Sequence, residues 1–159
     1  MFKTIAAQAL KRSECGKIDK VQRSVGVCIM LKIDKVLIVD DDDYIRRIAE
    51  IALKKVGKWD VQLAKCGADA LTVAREQNPD IILMDVTMPD LDGPATFAKL
   101  RECEGTASIP VIFLTGRVQP DELTRFNELG VNGVINKPFD PMKLPEQICQ
   151  MLGLEPRVI

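Results

Sequence analysis

The sequence predicts an α/β domain, a five-stranded parallel sheet doubly wound with helices on both faces. Three observations carry this. Short apolar runs and amphipathic stretches alternate five times between residues 35 and 152. The runs KVLIVD, IILMD and VIFLT are apolar almost throughout, as strands covered on both faces are. Glycine and proline punctuate the joins at Gly57, Asn78-Pro79 and Gly130. Such alternation implies parallel pairing, and right-handed crossovers then leave few topologies.

The elements follow in order. Residues 35–40 form a buried strand that ends in acids. Residues 44–56 carry Ile45, Ile48, Ile51, Ala52 and Val56 at helical spacing, with Arg and Lys on the other faces. Residues 59–65 alternate as a strand, and 68–77 form a helix closed by Asn78-Pro79. A second buried strand spans 81–85. A loop with Pro89 and Gly93 leads to a helix over 94–101, where Pro94 suits the first turn. Residues 109–115 form a strand, 121–129 a helix, 133–136 a short strand and 144–152 a closing helix.

In a sheet of this kind, functional groups gather at the carboxyl ends of the strands. The first strand runs into Asp40-Asp41-Asp42-Asp43, the third ends in Asp85, the fourth in Thr115, and the fifth is followed by Lys137-Pro138. Asp40, Asp41 and Asp85 brought together must protonate, disperse or take up a cation. A hard divalent ion with oxygen ligands, Mg²⁺ above all, is the natural solution. Lys137 would neutralise part of the remaining charge, and the Thr115 hydroxyl can donate to an oxyanion. Metal, ammonium and hydroxyl around one carboxylate suit phosphoryl transfer onto it, with Asp85 as nucleophile. Each residue alone has a plainer explanation: Asp43 as a helix N-cap, Asp85 as a loop acid, Thr115 as a cap, Lys137 as a surface lysine. Their coincidence at successive strand ends argues for a site.

Composition narrows the chemistry. The chain has 159 residues, 47% hydrophobic and 28% charged, with a mean hydropathy of +0.03. That is one domain's worth of chain, and no stretch approaches the ~20 apolar residues of a membrane span. The absence of histidine removes Ser-His-Asp and Cys-His catalysis, His-based metal sites and any histidine phosphoacceptor. Cys15, Cys28, Cys66, Cys103 and Cys149 are scattered and form no C-x-x-C pair, which fits reduced packing residues and a cytoplasmic location. The net charge of −1 averages two unlike parts: +4 over residues 1–34 and −5 over residues 35–159. The first part is weakly patterned and expected to be a flexible extension, and Met30 stands close enough to the first strand to be an alternative translation start.

VLIVDDD (36–42), DVTMPDLDG (85–93), VIFLTG (111–116) and GVINKPF (133–139) together resemble the receiver domain of two-component response regulators, the CheY-like branch of the flavodoxin-like folds. The resemblance covers 35–152 and leaves 153–159 as a tail. It implies strand order 2-1-3-4-5 and a stand-alone receiver. It implies that Asp85 accepts a phosphoryl group from a phosphohistidine on a sensor histidine kinase or a histidine phosphotransfer protein. Asp41 would ligate Mg²⁺ (or Mn²⁺) directly, Asp40 through water and Thr87 through its backbone carbonyl. Thr115 and Lys137 would contact the phosphoryl oxygens, and the Lys137-Pro138 bond would be cis. Such a protein is a signalling phosphoacceptor that promotes its own phosphorylation and dephosphorylation, or a phosphorelay intermediate, rather than an enzyme. Val134 stands where the family usually carries its switch aromatic.

Rival readings fare worse. An aspartyl-phosphate phosphatase would place a second aspartate two residues after the nucleophile, where Thr87 stands. A phosphate-binding flavodoxin-like protein would not meet its ligand with four aspartates. A calcium loop around Asp90 would put Met88 and Lys99 at its first and last ligand positions. Only 22 residues follow Lys137, too few for a helix-turn-helix module, so no DNA binding is expected and the output would be a contact with an unknown protein target. No membrane partner is expected.

Overall fold

The computed structural model describes residues 32–155. The predicted extension lies outside this range except for residues 32–34, as do Met30 and the last four residues of the tail. Five strands and five helices alternate: β1 Lys35–Val39, α1 Asp43–Lys55, β2 Asp60–Ala64, α2 Gly67–Gln77, β3 Ile81–Asp85, α3 Gly93–Glu102, β4 Val111–Thr115, α4 Pro120–Leu129, β5 Gly133–Asn136 and α5 Leu144–Leu152. All four strand pairings are parallel, in the order β2-β1-β3-β4-β5. This is the predicted doubly wound sheet.

The strand sequences explain their positions. β3 and β4 are buried at every residue because neighbours flank them and helices cover both faces. Leu37, Val39, Ile82, Met84, Val111 and Phe113 point to one side and form one core with residues of α2, α3 and α4. Phe113 anchors it, with Phe97 of α3 and Phe126 of α4 edge-on at 5.9 and 5.1 Å between ring centroids. Edge-to-face rings add a favourable quadrupole term to their burial. On the other side α1 packs beside α5.

The amino end of the sheet is tied by polar contacts. The Asp80 carboxylate accepts the backbone N–H groups of Asp34 and Lys35 at 3.0 and 2.9 Å. Lys35 Nζ donates to the Gln77 carbonyl at 3.0 Å. Trp59, just before β2, is buried and donates its backbone N–H to the Leu53 carbonyl at 3.2 Å. A Cβ at Gly57 would lie 3.0 Å from the indole ring, so the turn after α1 admits this ring because residue 57 has no side chain.

Boundaries differ from expectation by a residue or two. β4 begins at Val111, not at residue 109, because Pro110 brings no N–H to the ladder, although its carbonyl still accepts from Ile82 at 3.0 Å. α4 begins one residue early, with Pro120 in its first turn. Among the described residues, no helix is long and apolar enough to cross a membrane.

Candidate functional site

β1 stops at Val39 and delivers Asp40 to the carboxyl edge of the sheet. The Asp40 N–H still bonds the Ala64 carbonyl at 3.2 Å, so the residue is an extension of the ladder. Its carboxylate is wholly buried; Oδ1 accepts the Asp42 N–H at 2.9 Å and Oδ2 meets the Lys137 ammonium. Asp42, in an extended conformation, caps α1 by accepting the N–H groups of Tyr44 and Ile45 at 2.8 and 3.3 Å. The cap is therefore one residue earlier than the Asp43 expected. Asp43 falls in the first turn, where its charge suits the helix dipole and pairs with Arg46. Arg46, expected on a solvated helix face, instead folds back and donates to the Asp40 carbonyl. Its i+3 spacing from Asp43 was the available sequence signal.

β3 delivers Asp85, which is 5% exposed and whose Oδ1 accepts the Thr87 N–H at 3.3 Å. The following loop turns tightly. Asp90 has φ 66°, and Leu91 N–H bonds the Pro89 carbonyl at 2.8 Å. Gly93 closes the loop by donating to the Val86 carbonyl at 3.0 Å. A Cβ there would sit 2.6 Å from the Asp85 carbonyl oxygen and 2.9 Å from Val86 Cα, so glycine lets the backbone pass directly beneath the acid. Asp92 then caps α3 through the Ala95 N–H at 2.8 Å.

β5 leads to Lys137, joined to Pro138 by the cis bond that the sequence resemblance implies. The Lys137 N–H donates to the Thr115 carbonyl at 2.8 Å, and its ammonium bridges Asp40 and, at 3.2 Å, Asp85. Carboxylate oxygens of Asp40, Asp41 and Asp85 lie within 4.8 Å of one another. Burial and, next, the Asp40 charge push the Asp85 carboxyl up to about 6 from 3.8, against the pull of Lys137. Burial draws the Lys137 ammonium down, but the two carboxylates outweigh it and hold it above its ordinary value. One ammonium thus serves two of the three carboxylates, and the exposed Asp41 side chain has no hydrogen-bond or ion-pair partner among the described residues. Hard oxygen donors, close spacing and uncompensated negative charge fit a divalent cation such as Mg²⁺.

Asp40, Asp41, Asp85 and Lys137 converge as predicted positions. Thr87 and Thr115 stand beside them. Thr87 is exposed and reaches Asp85 through its N–H. The buried Thr115 hydroxyl donates to the Arg117 carbonyl at 2.7 Å and accepts the Arg117 N–H at 3.3 Å, so it is engaged in its own turn. Val134 is partly buried against the core that contains Phe113 and Phe126.

An acid cluster with a bridging lysine, at the carboxyl edge of a doubly wound 2-1-3-4-5 sheet, defines the receiver class of signalling domain. The chain belongs to the response regulator receiver domain family, whose model matches residues 36–149. It is 34% identical over 126 residues to the DNA-binding dual master transcriptional regulator RpaA of Synechocystis sp., a match covering 78% of this chain and 51% of that one. Response regulator Rre1 of the same organism is 31% identical over 117 residues, covering 74% and 51%. Among solved structures, the chemotaxis response regulator CheY4 of Vibrio cholerae superposes with a TM-score of 0.70 at 29% identity, covering 76% of this chain and 99% of that one. A response regulator from Desulfuromonas acetoxidans gives 0.67 at 27% identity, covering 76% and 97%.

The chain spans about half the length of the curated relatives it matches. This corrects the expectation that DNA binding is excluded. RpaA is a DNA-binding regulator by name, and the likeness covers only the receiver part of it. A residue count after Lys137 measures the room beyond one domain in this sequence and says nothing of what a receiver of this kind works with.

Proposed function

We propose that this receiver accepts a phosphoryl group on Asp85 from a phosphohistidine of a sensor kinase or phosphotransfer protein, in a Mg²⁺-dependent reaction, and switches its interactions in response. The observation that carries this is the Lys137 ammonium held between Asp40 and Asp85, with the Asp41 carboxylate alongside and without a partner among the described residues. An Asp85 carboxylate oxygen attacks phosphorus, the phosphorus–nitrogen bond breaks, and the imidazole leaves with its electron pair. A carboxyl at about 6 is mostly ionised at neutral pH, so the nucleophile is available. Lys137, already 3.2 Å from Asp85, turns to the phosphoryl oxygens as charge builds on them. The Thr115 hydroxyl contributes by exchanging its Arg117 acceptor for a phosphoryl oxygen. That exchange links modification to a rearranged β4–α4 turn, a population shift driven by contacts made only in the modified state. Asp40, Asp41, Asp85 and the Thr87 carbonyl would hold Mg²⁺ or Mn²⁺, which when bound neutralises phosphoryl-oxygen charge.

The test is labelling by acetyl phosphate with Mg²⁺ present. The native chain should be labelled and Asp85→Asn should not; labelling that persists in Asp85→Asn removes Asp85 from the role. The names of the relatives favour transcription as the process controlled. Retention of labelled genomic fragments by the chain, with and without acetyl phosphate, checks this, and no retention in either state counts against it.

A further inference from the structure

Four aspartates in a row leave β1, and three of them are fixed by the protein itself. The Asp40 carboxylate is held by Lys137 and the Asp42 N–H, Asp42 caps α1, and Asp43 pairs with Arg46. Asp41 is exposed and its side chain has no such partner among the described residues. The backbone that carries it therefore sets where its Cα–Cβ bond starts and points, with no side-chain contact among the described residues to add to that. The peptide unit joining Asp40 to Asp41 is a rigid plane, so fixing its oxygen fixes where the Asp41 N–Cα bond points. That oxygen is the one that accepts from Arg46.

We propose that Arg46 is a positioning residue for the cation site, acting through the Asp40–Asp41 peptide plane to aim the Asp41 carboxylate; this rests on the reading of Asp41 as a Mg²⁺ ligand. The side chain is built for it. One guanidinium nitrogen takes the Asp40 carbonyl and the other takes the Asp43 carboxylate, so the planar fork spans the loop on either side of Asp41. The side chain is 13% exposed although it is charged, while Asp43 is 91% exposed, so the anchor is on the peptide side. The Arg46 N–H also bonds the Asp42 carbonyl at 3.0 Å, which sets the root of the side chain within the first turn of α1. None of these contacts uses a carboxylate oxygen of Asp40, Asp41 or Asp85.

The sign of the effect separates positioning from charge. Removing a cation beside a Mg²⁺ site tightens Mg²⁺ binding if only electrostatics is at work. Losing an orienting contact weakens it, and outer-shell contacts of this kind are typically worth roughly tenfold in metal affinity. The experiment is titration of the full chain with MgCl₂ by calorimetry, alongside metal-free thermal melts. Arg46→Met is expected to weaken Mg²⁺ binding roughly tenfold. Arg46→Lys keeps the charge and loses the fork, and is expected to weaken binding by a smaller factor, roughly threefold. Unchanged or tighter binding in folded Arg46→Met overturns the inference; should that variant not fold, unchanged or tighter binding in Arg46→Lys does so. Native protein that is labelled by acetyl phosphate while both variants bind Mg²⁺ normally sinks this inference alone. Native protein that neither binds Mg²⁺ nor is labelled sinks the functional reading beneath it.

Discussion

Glu50 and Asp85 are both gripped by basic side chains, yet their carboxyls are shifted in opposite directions. Glu50 on α1 has two cations, Lys54 at 2.6 Å and Arg47 at 2.9 Å, and their contacts draw its carboxyl below the ordinary range, Lys54 foremost. Asp85 at the sheet edge shares one cation with Asp40, and burial together with the neighbouring acid raises it to about 6. The first cluster is neutralised by the chain and helps hold a helix. The second is short of positive charge by construction, which is a destabilising arrangement until something else supplies that charge. Such a deficit at a strand edge, beside a complete cluster elsewhere, marks which group of ions is built to bind and which is built to stay.

The largest expected effect is on modification itself. Asp85→Asn should abolish labelling by acetyl phosphate, measured by the mass shift of the intact chain. It should also raise metal-free stability by roughly 1–3 kcal/mol in urea melts at neutral pH, because a buried charge with a raised pKa is removed. Next comes Lys137→Met, which leaves the fully buried Asp40 without its ammonium and should cost on the order of 3 kcal/mol in the same melts. Mg²⁺ at about a hundred times its dissociation constant should return about 2.7 kcal/mol to the native chain and raise its melting temperature, and Asp41→Ala should lose that response.

The pH profiles sharpen the contrast further. The folded Asp85 carboxyl titrates above its unfolded value, so the folded state holds the proton more tightly. Its contribution to metal-free stability therefore falls as pH rises through the window from 3.8 to about 6. Glu50 titrates below its unfolded value of 4.5, so its contribution is present above that pH and is lost as pH falls through the lowered value. Denaturation at a series of pH values should show Asp85→Asn removing the first slope. Glu50→Gln should remove the second and lower stability at neutral pH, because the buried carboxylate no longer pairs with Lys54 and Arg47.

Much of this was legible in the chain. Strand β3 and its terminal Asp85 follow from an apolar run that stops at an acid, and α1 from the spacing of its isoleucines. Convergence of Asp40, Asp85 and Lys137 follows from parallel pairing, which sets successive strand ends side by side. What was not legible depends on side-chain direction. A threonine at a strand end can face its neighbour's acid or its own turn, and Thr115 takes the second course. An arginine in the first turn of a helix can reach into solvent or back over the N-terminus, and Arg46 goes back because the Asp40 carbonyl is otherwise left at the edge of the ladder. Chain length misled outright about DNA, since the matched relatives extend well past the receiver.

The chain's two spectroscopically useful rings stand at opposite ends of the sheet. Trp59, the sole tryptophan, is 5% exposed in the turn between α1 and β2, where Gly57 makes room for it. Tyr44, the sole tyrosine, is 71% exposed in the first turn of α1, on the acidic side. Indole emission therefore reports whether the amino end of the domain is packed, and is nearly blind to what occupies the aspartates. Unfolding can thus be followed by indole emission in the unmodified protein, and in variants of Asp41, Asp85 or Arg46, without introducing a probe.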